Sequence, residues 1–260
     1  MPSHVPQLDQ VQRVASKVPE VTIAFWVIKV LTTGVGETTS DFLFHHLAPP
    51  VAILLGLAAL IAAFVAQFRV RRYVPWIYWS AVGMVSVFGT MAADVVHVGF
   101  GVPYLALTIG YALIVAGLFA AWYATERTLS IRTVTTRRRE SFYWATVLAT
   151  FALGTATGDL TAKTLHLGYL SSTILFAVII AIPALAHRTI GLNAIAAFWF
   201  AYIVTRPLGA SYADWFAGPA DDGGLGIGTG PVTLVGTAAI VAAVGYVTRR
   251  GRQRLPHDGA

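Results

Sequence analysis

Runs free of charged residues, each of a length that can cross a bilayer, recur along this chain at Val51–Phe68, Val98–Thr125, Leu167–Ala186 and Gly223–Thr248. A helix needs about 20 apolar residues to span the hydrocarbon, where every backbone N–H and C=O must be satisfied inside the element itself. The fold class that follows is an all-α integral membrane protein. Composition agrees, because 56% hydrophobic and 12% charged residues would leave a water-soluble fold short of polar surface. Soluble-enzyme and nucleic-acid-binding functions are excluded on that ground. The net charge of +6 implies no nucleic-acid partner, since the basic residues fall in short connections that orient the chain. The chain has no Cys, which removes disulfides, thiolate metal sites and cysteine nucleophiles.

Eight transmembrane helices are expected, near 19–45, 50–68, 75–98, 103–124, 141–165, 168–186, 190–216 and 231–248. With eight spans, 15 of the 18 Lys and Arg share one side: Arg13, Lys17, Arg69, Arg71, Arg72, Arg127, Arg132, Arg137, Arg138, Arg139, Arg188, Arg249, Arg250, Arg252 and Arg254. The positive-inside bias makes that side the cytoplasm and puts both termini there. Residues 1–16 lack the features of a cleaved signal peptide, so the first span is expected to act as its own insertion signal. Residues 1–16 and 251–260 are read as cytoplasmic tails.

The odd spans repeat one pattern: an aromatic residue, Trp, nine residues, Gly, four residues, Asp. The anchors are Trp26, Gly36 and Asp41; Trp79, Gly89 and Asp94; Trp144, Gly154 and Asp159; and Trp199, Gly209 and Asp214. A single membrane domain of four two-helix repeats follows, at 19–70, 71–126, 136–188 and 189–250. All four repeats enter from the same side and are related by an axis along the membrane normal. The even spans carry no charge, whereas the odd spans hold every intramembrane ionisable group. Odd helices are therefore placed inside, around the axis, and even helices outside. Small residues before each Asp permit close helix approach.

This arrangement resembles a family of bacterial integral membrane proteins with four tandem repeats of unknown function, each repeat having two transmembrane helices and a Trp. The aromatic-Trp pairs with their downstream Gly and Asp carry the resemblance, over roughly residues 19 to 248. It implies a bacterial inner-membrane location and brings no activity with it.

Counting about 1.5 Å per residue places the four Asp some 30 Å along their helices, at one depth in the outer third of the membrane. Four carboxylates together demand a cation, a proton or a basic partner. The other reading is a structural one, in which each Asp bonds to a neighbouring repeat or to interfacial water. The first repeat breaks the symmetry. Lys29, Thr33, Glu37, Asp41 and His45 fall at steps of four on one stripe, and Glu37 aligns with Thr90, Thr155 and Ala210.

Glu37, Asp41, Asp94, Asp159 and Asp214 are the candidate ion-binding residues, with Glu37, Asp41 and Asp94 a candidate divalent-metal set. Lys29, Arg206 and Lys163 are the candidate charge partners. Glu37 is expected to pair with Arg206, or with Lys29 through an intermediate group, and Lys163 with Asp159. His45, His97 and His166 are possible additional ligands. The repeat Trp residues are read as packing wedges or interface anchors. Pro207 is expected to bend or break span seven, and Ala217–Gly230 to form a mobile lid or a spacer.

The function expected from these residues is a secondary transporter or exporter of a cation, possibly a divalent metal, coupled to protons. It is not expected to be an enzyme or to hold a resident cofactor. Its partners would be membrane lipid and a small cation or proton. The alternatives are a membrane-embedded metal-dependent enzyme using outer-side His and Asp, and a non-catalytic membrane scaffold.

Overall fold

The computed structural model describes residues 16–253 and consists of eight long helices, with no strand among the described residues. They are α1 (Ile23–His46), α2 (Pro49–Arg69), α3 (Pro75–Asp94), α4 (Tyr104–Glu126), α5 (Arg137–Asp159), α6 (Gly168–Thr189), α7 (Ala194–Ala217) and α8 (Thr229–Gln253). Arg13, Arg254 and most of the two tails lie outside the described residues. Local sequence explains the helix starts. Thr22, Thr136 and Asn193 accept backbone N–H groups at the N-termini of α1, α5 and α7, while α2 and α3 begin on prolines whose missing N–H has no partner to lose there. Two inner helices widen immediately after their repeat Asp. π-turns at Val95–Gly99 and Leu160–Thr164 extend α3 and α5. Helix α7 runs unbroken through Pro207, so the chain is not interrupted there as a break would require.

Five segments are long and apolar enough to cross a membrane: α2, α3 with its π-turn, α4, α6 and α8. The others, α1, α5 and α7, carry the polar stripe that the ring buries. The protein is a multi-pass membrane protein. Its chain reverses at short connections, so all four odd helices run from an arginine-bearing basic end to an acidic end holding the repeat Asp residues.

The odd helices form a closed ring, α1 against α3, α3 against α5, α5 against α7, and α7 back against α1. The even helices lie outside it, but not on their own repeat. Each returning helix packs mainly against the inner helix of the next repeat: α2 on α3, α4 on α5, α6 on α7. The last, α8, covers α1, where Thr233 Oγ1 donates to Thr38 Oγ1 at 2.7 Å. The sequence hairpin is thus opened, and adjacent repeats are stitched together by exchanged outer helices.

The repeat glycines mark where the inner helices touch. A Cβ on Gly36 would collide with Ser86, on Gly89 with Phe151, on Gly154 with Arg206, and on Gly209 with Thr33. Each Gly meets the residue three motif positions earlier in the following repeat, and the fourth meets the first. Small residues at helix seams permit this approach where hydrocarbon offers no hydrophobic drive for association.

Substitution at these seams is expected to destabilise the fold. Gly89→Ala would place its methyl 2.7 Å from Phe151 Cβ and is expected to cost about 1–3 kcal/mol, the usual range for overpacking. Gly209→Ala, directed at Thr33 and the Gly34 backbone, is expected to do the same. Gly117→Ala, on lipid-facing α4 with nothing within 4 Å, is expected to be neutral or stabilising. Thermal unfolding of the detergent-solubilised protein, followed by size exclusion, measures all three.

Candidate functional site

Positions four apart along each inner helix face the ring axis, so the motif builds stacked layers. The layer nearest the basic end contains Phe25, Tyr78, Tyr143 and Phe198, with the Tyr78 and Tyr143 hydroxyls 2.5 Å apart. Next come Lys29, Val82, Val147 and Tyr202, then Thr33, Ser86, Phe151 and Arg206. Glu37, Thr90, Thr155 and Ala210 follow, and the four Asp come last. Three of the repeat tryptophans, Trp79, Trp144 and Trp199, are buried in the aromatic core beside the first layers, and Trp26 packs against it. Trp199 Nε1 also donates to Leu129 O at 2.9 Å.

Arg206 is the centre of the site and is 0% exposed. Its Nη1 donates to Thr33 O at 2.9 Å. Its Nη2 reaches Glu37 Oε2 at 2.6 Å and Thr155 Oγ1 at 2.7 Å, and also contacts Thr90 Oγ1. Thr90 donates to the same Glu37 oxygen at 3.0 Å. A guanidinium from the fourth repeat therefore lies in a cage of oxygens supplied by the other three. The expected pairing of Glu37 with Arg206 is the one the geometry shows, and the pairing with Lys29 is not. Lys29 Nζ has no hydrogen-bond partner. It sits 3.9 Å from the centre of the Phe151 ring and 4.3 Å from that of Tyr202, against aromatic faces in place of an acceptor.

The Glu37–Asp41–Asp94 metal set is not assembled. Among the described residues no three His, Asp or Glu side chains are grouped so as to hold a metal ion, and the Glu37 oxygen that would serve is occupied by Arg206 and Thr90. The acids nonetheless share one region, because Asp41, Asp94 and Asp214 each interact electrostatically with Glu37 and Asp159. Lys163 leans over this acidic end from its π-turn and bonds Asp159 at 2.7 Å.

The histidines do not converge. His45 Nδ1 lies 2.6 Å from Asp41 O. His97 Nδ1 lies 2.8 Å from Val102 O, with its ring stacked on Tyr104, and exposed His166 occupies a left-handed turn at φ 55°. The Ala217–Gly230 segment folds back on α7, with Leu225 N donating to Trp215 O, Gly226 N to Gly218 O and Ile227 N to Phe216 O. These bonds tether it to the end of its own helix, which does not suit a free lid.

Sequence reasoning did not find the closure of the basic end. Buried Lys17 pairs with Glu140, which is 0% exposed and also accepts from Gln67 Nε2 at 2.9 Å. Backbone bonds from Lys17 N to Val134 O and from Tyr73 N to Ser16 O fasten the segment across the loops. The one available signal was Gln67, an amide near the end of an otherwise apolar span.

The family described as Repeat of Unknown Function (DUF347) matches this chain four times, at residues 24–73, 77–128, 142–190 and 197–253. The chain belongs to this four-repeat family. No curated protein and no solved structure matches it.

Breaking one side of a buried ion pair leaves the other charge without compensation, at a loss of about 3–5 kcal/mol. Glu37→Gln alone and Arg206→Met alone are each expected to fall in this range. The double variant is expected to recover more than half of the larger loss, because Met keeps the stem against Gly154 while both charges leave together. Thermal unfolding of the three proteins gives the coupling.

Proposed function

We propose that the protein is a secondary transporter of a cation, coupled to protons, in which Arg206 is a tethered stand-in for the transported ion. The observation that carries this reading is the convergence of Glu37, Thr33, Thr90 and Thr155 oxygens, from three repeats, on the cationic nitrogens of the fourth. Such a cage suits a small cation in size and charge. In the resting state the guanidinium fills it. Substrate gains the cage only when Arg206 withdraws, and protons on the acids change the balance between the two. The acidic end is the entrance, since its four Asp attract cations and the π-turns after Asp94 and Asp159 widen the helices there; π-bulges are frequent at functional sites. In this reading the basic end faces the cytoplasm, the side that the positive-inside bias favours. A divalent metal as substrate would have to recruit the repeat Asp carboxylates after Arg206 has left.

A structural reading has its own support. The ring is tightly packed at its glycines, and Arg206 and Glu37 pair with one another without any ion, as in a static scaffold. One experiment separates the two. The protein is reconstituted in liposomes with an internal pH dye and challenged with Na⁺, K⁺, Mg²⁺ and Mn²⁺ gradients. Cation-dependent proton movement is expected, falling to the protein-free level in Glu37→Gln and in the quadruple Asp41→Asn, Asp94→Asn, Asp159→Asn, Asp214→Asn variant. A quadruple variant that folds and retains full flux would eliminate the carboxylate mechanism, and the absence of flux for every cation would favour the scaffold.

A further inference from the structure

On the outside of the ring, at the basic end, a groove of about 880 Å³ runs between the start of α1, the second half of α6 and the start of α7. Its volume falls within the roughly 300–1,000 Å³ of ordinary ligand pockets. Its walls are apolar: Trp26, Phe198, Pro183, Ala184 and Ala197 contribute, and no Asp or Glu lines it. Its mouth is basic. Arg132 and Arg188 stand there together with His187. Both arginines are exposed, and among the described residues neither is hydrogen-bonded or ion-paired.

Arg132 is held by a built platform. It sits in a short 3₁₀ turn, Ile131–Thr133. That turn is fastened by the bond from Thr133 N to Ser130 O, and Leu129, two residues before the turn, is pinned by Trp199 Nε1. His187 is fixed as well, with Nδ1 at 2.6 Å from Leu192 O. A cationic rim above an apolar, lipid-facing cleft at the end of a bundle matches one kind of ligand: an amphiphile with an anionic head and a hydrocarbon tail. Basic pockets between transmembrane helices bind anionic lipid headgroups by this complementarity. We propose that this groove is a binding site for an anionic phospholipid, its phosphate between Arg132 and Arg188 and one acyl chain along Pro183, Ala184 and Ala197. The assignment does not depend on transport.

The full-length protein in neutral detergent is titrated with phosphatidylglycerol and with phosphatidylcholine of the same acyl chains, with bound lipid counted by native mass spectrometry. At about 1 kcal/mol for each arginine near the headgroup, a preference for phosphatidylglycerol of about 10–30-fold is expected. Arg132→Gln with Arg188→Gln is expected to reduce it to near parity. The control pair Arg71→Gln and Arg72→Gln removes the same charge from the same end, outside the groove, and is expected to keep the preference. Ala197→Phe, which narrows the groove without touching its charge, is expected to weaken both lipids. An unchanged preference in Arg132→Gln/Arg188→Gln, or an equal loss in the control pair, overturns the proposal. So does a preference that emerges only when residues 1–15 are deleted, which would assign the groove to the chain's own N-terminus. Competition by inorganic phosphate alone, with Ala197→Phe without effect, would reduce the site to a surface anion site and overturns it as well.

Discussion

The structure depends on four inner helices approaching so closely that no Cβ fits at their seams. Gly36 against Ser86, Gly89 against Phe151, Gly154 against Arg206 and Gly209 against Thr33 are one contact made four times, and because the fourth returns to the first, the helices close into a ring. In hydrocarbon, burial of apolar surface gives helices little reason to associate, so van der Waals contact and polar bonds at the seams must do it. The close approach supplies both. It brings Thr33, Thr90, Thr155 and Glu37 near enough to bond both terminal nitrogens of Arg206, and the same contacts exclude lipid from the axis. Exchanged outer helices then pack on the ring, with charges on α2, α4, α6 and α8 confined to their basic-end turns.

Symmetry and its loss have different roles in this ring. The aromatic, Gly and Asp positions recur in all four repeats and set the geometry. The charges at the axis do not recur: Lys29 and Glu37 belong to the first repeat, Arg206 to the fourth. Because buried charges are costly when unpaired, each must be accounted for by its neighbours, and the accounting is uneven. Arg206 and Glu37 neutralise one another with several hydrogen bonds. Lys29, one layer nearer the basic end than Arg206, has only aromatic faces. This asymmetry lies beside the oxygen cage around Arg206 from which the transport proposal is drawn.

Much of this was legible in the sequence because membrane physics leaves few alternatives. Apolar runs gave eight helices, the arginines their common direction, and the Trp, Gly and Asp spacing the four repeats with inner and outer layers. Arg206 stood out as the lone basic residue in the seventh span. The site was less legible, for a geometric reason. The seam glycines touch residues three motif positions earlier in the next repeat, so positions aligned in sequence are not level where helices meet. Arg206 aligns with Thr33 yet bonds Glu37, one helical turn further on, and fills the place where a metal set was expected. The Lys17–Glu140–Gln67 closure was hidden because Lys17 and Gln67 lie 123 and 73 residues from Glu140, and Glu140 follows three arginines that read as an ordinary charged surface.

The exchange of outer helices also bears on how the chain is made. Helix α1 carries Lys29 and Glu37 on its inner stripe, but Arg206 lies 169 residues further along the chain, and the outer cover of α1 is α8, the eighth of the described helices. Until both are in place the first helix has neither its counter-charge nor its neighbour on one flank. The first helix therefore completes its packing late, and the ring closes only once the fourth repeat has joined the other three.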